Sequence, residues 1–447
     1  MPHALVAAMV LSALTVPTAA SAEADYPSAG NTDKRAPARA KGQPRTFTVC
    51  KTRRCRYRTI GAAVRKARGG DTIRVRRGTY RENVVISGPR YEGLKLVGSP
   101  KRPRAVKLDG RSLRGARAQN AVLINNADNV TVNGVYARNF KANGFFVVNV
   151  DGYRLTNLVA GRTGVYGLYA FNSKGGTMSR SEAFANNDAG FYIGQTPKQS
   201  KPKRSIVSRV KSYNNVLGFS GTNMRYVTIK NSQWFNNGAG IVPNALESEK
   251  FPPPQQNVIS GNEIFWNNFN YYRGAPFRIP KSGPAGFAGY PIGVGVLLFG
   301  SQQTTIARNR IFGNWLVGYG AIEQVVLKSK RSPALREAAV LRDNVVRDNR
   351  FGLGGADLNG RDMFYDGSGT GNCFARNALR SPNMPASDSV FATCPKTGMN
   401  AFDAAAQLEA ISWVPQGRKR PRSAETHWIE HPHKKRKGIR PLTRYRR

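Results

Sequence analysis

The sequence predicts an all-β chain wound as a right-handed parallel β-helix, a solenoid with a short capping helix at its N-terminal end and a disordered basic tail at its C-terminal end. Three observations carry this prediction. A unit of about 22 or 23 residues repeats, each unit holds short alternating runs rich in Val, Ile, Phe and Tyr, and Asn and Gly punctuate those runs at fixed places.

The repeat is read in "VTVNGVYARN" (130–139), "YRLTNLVAGR" (153–162), "GTMSRSEAFAN" (176–186), "SIVSRVKSYN" (205–214), "VTIKNSQWFN" (227–236), "NVISGNEIFWN" (257–267), "TTIARNRIFGN" (304–314) and "AVLRDNVVRDN" (339–349). Gly-led apolar runs follow from Gly144, Gly167, Gly190, Gly218, Gly240, Gly295 and Gly318, at intervals of 23, 23, 28, 22, 55 and 23 residues. A unit this short has no room for a ten-residue helix and cannot bury its apolar face alone. Stacked copies give a continuous core.

In such a coil each repeat position becomes a column at the spacing of about 4.8 Å between strands. Phe145, Leu168, Phe191, Phe219, Ile241, Val296 and Tyr319 are expected to point inward as one column. Asn139, Asn186, Asn214, Asn236, Asn267, Asn314 and Asn349 are expected to form another, their amides stacked at a turn whose following Gly lets the backbone change direction.

Ahead of the coil, residues 1–22 read as a signal peptide: an apolar stretch precedes "AASA", an Ala-x-Ala site ending at Ala22, although its start carries no Lys or Arg. Residues 23–45 form a basic linker, 46–400 the β-helix domain, 401–416 a capping segment and 417–447 the basic tail. No other segment approaches the roughly 18 apolar residues of a membrane span, so a secreted, monomeric protein is expected. Four cysteines fit an oxidising compartment. Three pairings are possible. Cys50 with Cys55 and Cys373 with Cys394 are favoured, each pair being near in sequence and at one end of the solenoid, while the competing zinc reading lacks a common zinc spacing.

Within "TIGAAVRKARGGDTIRVRRGTYRENVVI" (59–86), Ile60, Ala63, Val64 and Ala67 mark a short amphipathic helix ending at Gly69-Gly70, and "DTIRV" and "NVVI" read as the first strands. This segment resembles the N-terminal cap and first coil of the pectin-lyase-like β-helix superfamily, and "LVGSPKRPRAVKLDG" (96–110) looks like its next coil. "GTGNCFARN" followed by Cys394 resembles secreted actinobacterial β-helix proteins of unassigned activity. The resemblance spans about residues 45 to 395. It implies the fold; the superfamily's lyases, hydrolases, epimerases, esterases and inactive members leave the chemistry open.

Absences narrow that chemistry. The four histidines are His3, His427, His431 and His433, so the coil has none. A His-based triad is excluded from it, as is the Asp-Pro-His motif of alginate-type epimerases in this superfamily, leaving carboxylates, Tyr, Lys or Arg. Insertions point to a site. Residues 195–204, 245–256 and 324–337 follow Gly-led strands, and 269–291 precedes one, so two walls should flank a cleft. Its floor would hold Tyr169, Tyr192, Val242 and Leu297, with Tyr169, Tyr192 and Arg273 as substrate-binding residues and Glu247, Glu323 and Asp357 as catalytic ones. Glu323 and Asp357 on consecutive turns would let one stay protonated. Acids here would alternatively pair with Arg or hold Ca²⁺, for which Asp362 and Asp366 in a Gly-rich segment also offer oxygens.

Charge is the strongest functional signal. With 69 Lys and Arg against 26 Asp and Glu the net charge is +43, and residues 417–447 supply only +10 of it, leaving a basic body. An acidic polysaccharide or other polyanion is the expected partner, with nucleic acid second to it. The chain therefore reads as a β-helix that binds an acidic polysaccharide in a lyase- or hydrolase-like cleft, and the sequence leaves open whether it also cleaves or modifies that polymer. The alternative is a noncatalytic cell-wall or polyanion-binding protein.

Overall fold

A computed structural model describes residues 43–271, 290–353, 357–387 and 389–419. The fold is a right-handed parallel β-helix, and the chain divides into two units: an N-terminal one of Tyr26–Tyr213 with Tyr226–Ser232, and a C-terminal one containing Asn214–Arg225 and residues from Gln233 onward. The signal, most of the linker and the basic tail beyond Lys419 lie outside the described residues.

In the N-terminal unit each turn runs through three short strands that join three separate parallel sheets. One turn shows the plan: Val130–Asn133 lies in the first sheet, Tyr136–Arg138 in the second and Asn143–Val148 in the third. The next turn, Tyr153–Thr156, Val159–Gly161 and Leu168–Phe171, pairs with it strand for strand. Phe145 thus meets Leu168, and Leu168 meets Phe191, all with no exposed surface. Each buried side chain of this size contributes roughly 1.5–3 kcal/mol.

The open N-terminal end is closed by a helix, Ile60–Lys66, whose Ile60, Ala63 and Val64 are buried. Thr59 Oγ1 accepts from the Ala62 N–H, and the Glu82 carboxylate accepts from the N–H groups of Ile60 and Gly61 at 3.0 Å each. These contacts satisfy donors that a helix start leaves free. Cys50 and Cys55 are joined here by a disulfide, as expected.

The C-terminal unit repeats the plan. Its third sheet holds Leu217–Thr222, Ala239–Asn244, Val294–Phe299, Val317–Ile322 and Met363–Tyr365. Phe219, Ile241, Val296, Tyr319 and Met363 follow one another as the inner column. Near its end stand the second disulfide, Cys373–Cys394, and the helix Ala404–Lys419.

Two expectations need correction. The supposed single Asn column is three. Asn139, Asn214 and Asn236 occupy a left-handed backbone position, at φ 61°, 58° and 54°. Asn186, Asn267 and Asn314 sit one place further on, where buried amides form a ladder: Asn237, Asn267 and Asn314 donate their N–H groups to the Oδ1 atoms of Asn267, Asn314 and Asn359 at 3.1–3.2 Å. Asn349 belongs to a ladder at the other corner, with Asn309 and Asn377. Because the repeats end in Asn-Asn pairs, a shift of one residue is invisible to pattern.

The Gly that leads seven of the third-sheet strands, from Gly144 to Gly318, does not turn the chain through a positive φ. It lets successive turns approach: a Cβ at Gly167, Gly240 or Gly295 would stand 2.5, 2.3 and 2.3 Å from the carbonyl oxygens of Gly190, Gly295 and Gly318.

Candidate functional site

Side chains alternate across a strand, so the neighbours of the inner Phe145, Leu168 and Phe191 face outward on the third sheet. In the N-terminal unit these are Phe146, Tyr169 and Tyr192, paired in register. Phe146 and Tyr169 stack at 4.5 Å between ring centres, and Tyr169 meets Tyr192 edge-on at 4.8 Å. A Cβ at Gly194 would lie 2.5 Å from the Tyr192 hydroxyl, so glycine leaves room for that ring to lie over the backbone.

Tyr169 and Tyr192 point outward as their register requires, yet both are buried. The reason is Tyr166, on the corner before Leu168–Phe171, whose ring lies 4.6 Å from Tyr169 and 4.5 Å from Tyr192. A ligand arriving here meets the half-buried Tyr166, Leu123 and Phe171, with the two tyrosines beneath as support. Asn143 Oδ1 accepts the Tyr166 N–H at 3.1 Å and fixes the approach to the corner.

Asp188 occupies the same corner one turn on, its N–H donating to the Val165 carbonyl at 3.0 Å. The Tyr166 hydroxyl donates to its carboxylate. Burial nevertheless pushes the carboxyl up to about 7, outweighing that hydrogen bond. Asp188 keeps partial solvent access. An acid poised near neutrality beside an aromatic surface can both give and take a proton. Neither residue was singled out in the sequence, because each precedes a Gly-led strand in the corner, outside both the strands and the insertions.

The acids expected to be catalytic do not come together. Glu247 is exposed on the 245–256 insertion and pairs with Lys330 at 2.5 Å. Glu323 follows Val317–Ile322 and pairs with Lys328 at 3.2 Å. Asp357 is fully buried at the corner before Met363–Tyr365, accepting from Trp266 Nε1 at 2.9 Å. Glu323 and Asp357 therefore lie towards opposite ends of a strand rather than side by side on consecutive turns.

The carboxylate beside Glu323 is Asp366, which accepts the Glu323 N–H at 3.3 Å. Burial pushes Asp366 up to about 6, against hydrogen bonds from Ser368 and Gln407, with the Glu323 charge adding to the rise. Its oxygens, and those of Asp362, already face N–H and O–H donors, including Ser368, Gln407, Asn359 and Ser381. Those bonds fasten the end of the coil. Among the described residues no group of three or more His, Cys, Asp or Glu is arranged to hold a metal ion.

Of the two expected walls, the 245–256 and 324–337 insertions pack together through Ala245, Leu327 and Leu335. Arg273 and residues 272–289 of the opposite insertion lie outside the described residues.

No family model matches this chain, and no curated protein is similar to it. Solved structures do resemble it. The A-module of the mannuronan C-5 epimerase AlgE6 from Azotobacter vinelandii is similar at 16% identity over 72% of this chain and 91% of that one, with a TM-score of 0.50. A rhamnogalacturonan lyase (12% identity, 76% and 87% covered, TM-score 0.41) and pectate lyase Pel9A (14%, 78% and 80%, TM-score 0.37) are further away. The likeness is one of fold.

Proposed function

We propose that this protein is a secreted β-helix that binds an acidic polysaccharide on the outward face of the third sheet in its N-terminal unit. The observation that carries the reading is the aromatic surface of Phe146, Tyr169 and Tyr192 under Tyr166, beside Asp188. Aromatic and apolar surface flanked by a few polar groups suits the faces of sugar rings. The net charge of +43 favours an anionic polymer, and two disulfides fit an oxidising compartment. At the coarse level, the fold is shared with a protein named as a mannuronan epimerase.

A second reading, in which the bound glycan is also cleaved or modified, has Asp188 in its favour. With its carboxyl near neutrality it serves as the proton donor or acceptor, while Tyr166 holds its orientation.

The test is calorimetric titration of purified protein with uronate oligomers and neutral oligomers of equal length, comparing wild type with Tyr166→Ala. Binding of the uronate that Tyr166→Ala weakens tenfold or more, about 1.4 kcal/mol, supports the reading. Undiminished binding by the variant would remove this face as the site. Following unsaturated products and reducing ends in the same samples separates binding from turnover.

A further inference from the structure

At the capped end of the N-terminal unit the chain leaves Thr46–Val49 and loops round to lie parallel beside its end at Tyr57. The Cys50 N–H donates to the Tyr57 carbonyl at 3.1 Å, Val49 bridges to Tyr57, and the Cys50–Cys55 disulfide closes the loop between them. Together with Arg76 and Arg77 this loop walls a pocket of about 940 Å³, at the upper end of the range of small-ligand sites.

Its lining is one-sided in charge. Lys51, Arg54, Arg56, Arg76 and Arg77 face it alongside Arg45, and no acid does. Among the described residues, Arg45 is the one of these six with an ion-pair partner, Asp71 at 3.0 Å. That acid is already engaged. Burial would raise it, but the N–H groups of Arg45 and Arg68 and the Arg45 guanidinium outweigh burial and hold its carboxyl low. Lys51 and Arg56 instead sit over the rings of Tyr80 and Tyr57, at 4.7 and 5.8 Å. Phe47 and Tyr57 meet edge-on at 5.7 Å and give the pocket an aromatic wall.

Like charges gathered round one concavity repel each other, and an anion placed among them relieves that repulsion. Scattered exposed lysines suffice to blunt an open sheet edge; that purpose requires neither a pocket nor a set of guanidinium forks. We infer that this pocket is a second ligand site, taking a short stretch of an anionic glycan by its carboxylate or sulfate groups. Arg54, Arg56, Arg76 and Arg77 grip the oxyanions, and Phe47 and Tyr57 support the sugar ring. The nature of the polymer rests on the reading above, but the pocket uses none of the residues of the aromatic face. Nucleic acid fits less well. Phe47 and Tyr57 stand at 66° to each other with Arg45 over the Phe47 ring, so they offer no pair of parallel faces on which successive bases would stack.

The test uses the full mature chain and a charge-reversed variant, Arg54→Glu with Arg56→Glu and Arg77→Glu, all exposed positions. Titration with a uronate hexamer, a sulfated hexamer, a neutral hexamer and a single-stranded DNA hexamer is repeated from low to high salt. The expected result is two binding events for the anionic glycans in wild type, of which the more salt-sensitive disappears in the variant. A companion triple Arg→Lys variant should keep that event in weakened form. Tyr166→Ala should leave it intact, so that failure of the pocket and failure of the aromatic face are told apart. Unchanged salt-sensitive glycan binding by the charge-reversed variant would overturn the inference. So would DNA binding as tight as glycan binding and lost with it, which would make the pocket a nucleic-acid site.

Discussion

Asn267 holds Asn237 twice: its Oδ1 accepts the Asn237 main-chain N–H at 3.2 Å and the Asn237 side-chain Nδ2 at 3.0 Å. The adjacent Asn236 is buried too, yet both atoms of its amide lack a hydrogen-bond partner among the described residues, and its backbone is left-handed. Neighbours of the same type thus do different work. Asn267→Leu should cost roughly 1–3 kcal/mol for each donor it orphans. Asn236→Gly, which suits the positive φ, should change stability by a few tenths at most. Chemical denaturation of the two variants checks both; equal losses would contradict the separation of the columns.

Close approach of turns makes a different demand. Gly295→Ala places a methyl where the Gly318 carbonyl stands, at 2.3 Å, and should destabilise by about 1–3 kcal/mol or prevent folding. A Gly115→Ala control, where nothing lies within 4 Å but φ is 58°, isolates the backbone penalty. A smaller loss at Gly295 than at Gly115 would overturn the close-approach account.

The raised carboxyl of Asp188 has a signed consequence for stability. Its folded pKa, pushed up to about 7, exceeds its unfolded value, so the folded state binds more protons between about pH 4 and 7. The stabilisation is fully present below that window and is lost as pH rises through it. Asp188→Asn should flatten this part of the stability profile. Tyr166→Phe removes the hydroxyl that favours the charged form, and should carry the titration to higher pH. A shift to lower pH in Tyr166→Phe would contradict the assigned contact.

The two disulfides should differ in worth. By the loop-closure estimate, Cys373–Cys394, 21 residues apart, contributes about 3 kcal/mol and Cys50–Cys55, 5 apart, about 2 kcal/mol. Paired Cys→Ser variants followed by thermal unfolding test the order, and a larger loss at the N-terminal pair would reverse it.

The fold was legible because a 23-residue period carries Phe145 onto Leu168 and Leu168 onto Phe191, and burial fixes which side of a strand faces in. What pattern could not resolve was a shift of one residue at Asn-Asn corners, or whether a Gly serves a turn or a close approach. The site was less legible. Tyr169 and Tyr192 were placed on the outward face correctly, but the ring that covers them, Tyr166, comes from a corner. Asp366 escaped as the neighbour of Glu323 because its strand, Met363–Tyr365, lacks the Gly lead that marked the others. Glu247, Glu323 and Asp357 were chosen for charge and nearness to insertions; Lys330, Lys328 and Trp266 are what they contact.

The central claim is that a glycan rests on Tyr166 and its aromatic support. Hydroxyl-radical footprinting with and without saturating uronate oligomer tests it at the side chain itself. The account predicts that oxidation of Tyr166 and Phe171 falls when ligand is bound, while the exposed Leu379 and Phe402 are unaffected. Unchanged oxidation of Tyr166 in a sample that titration shows to be saturated would contradict it.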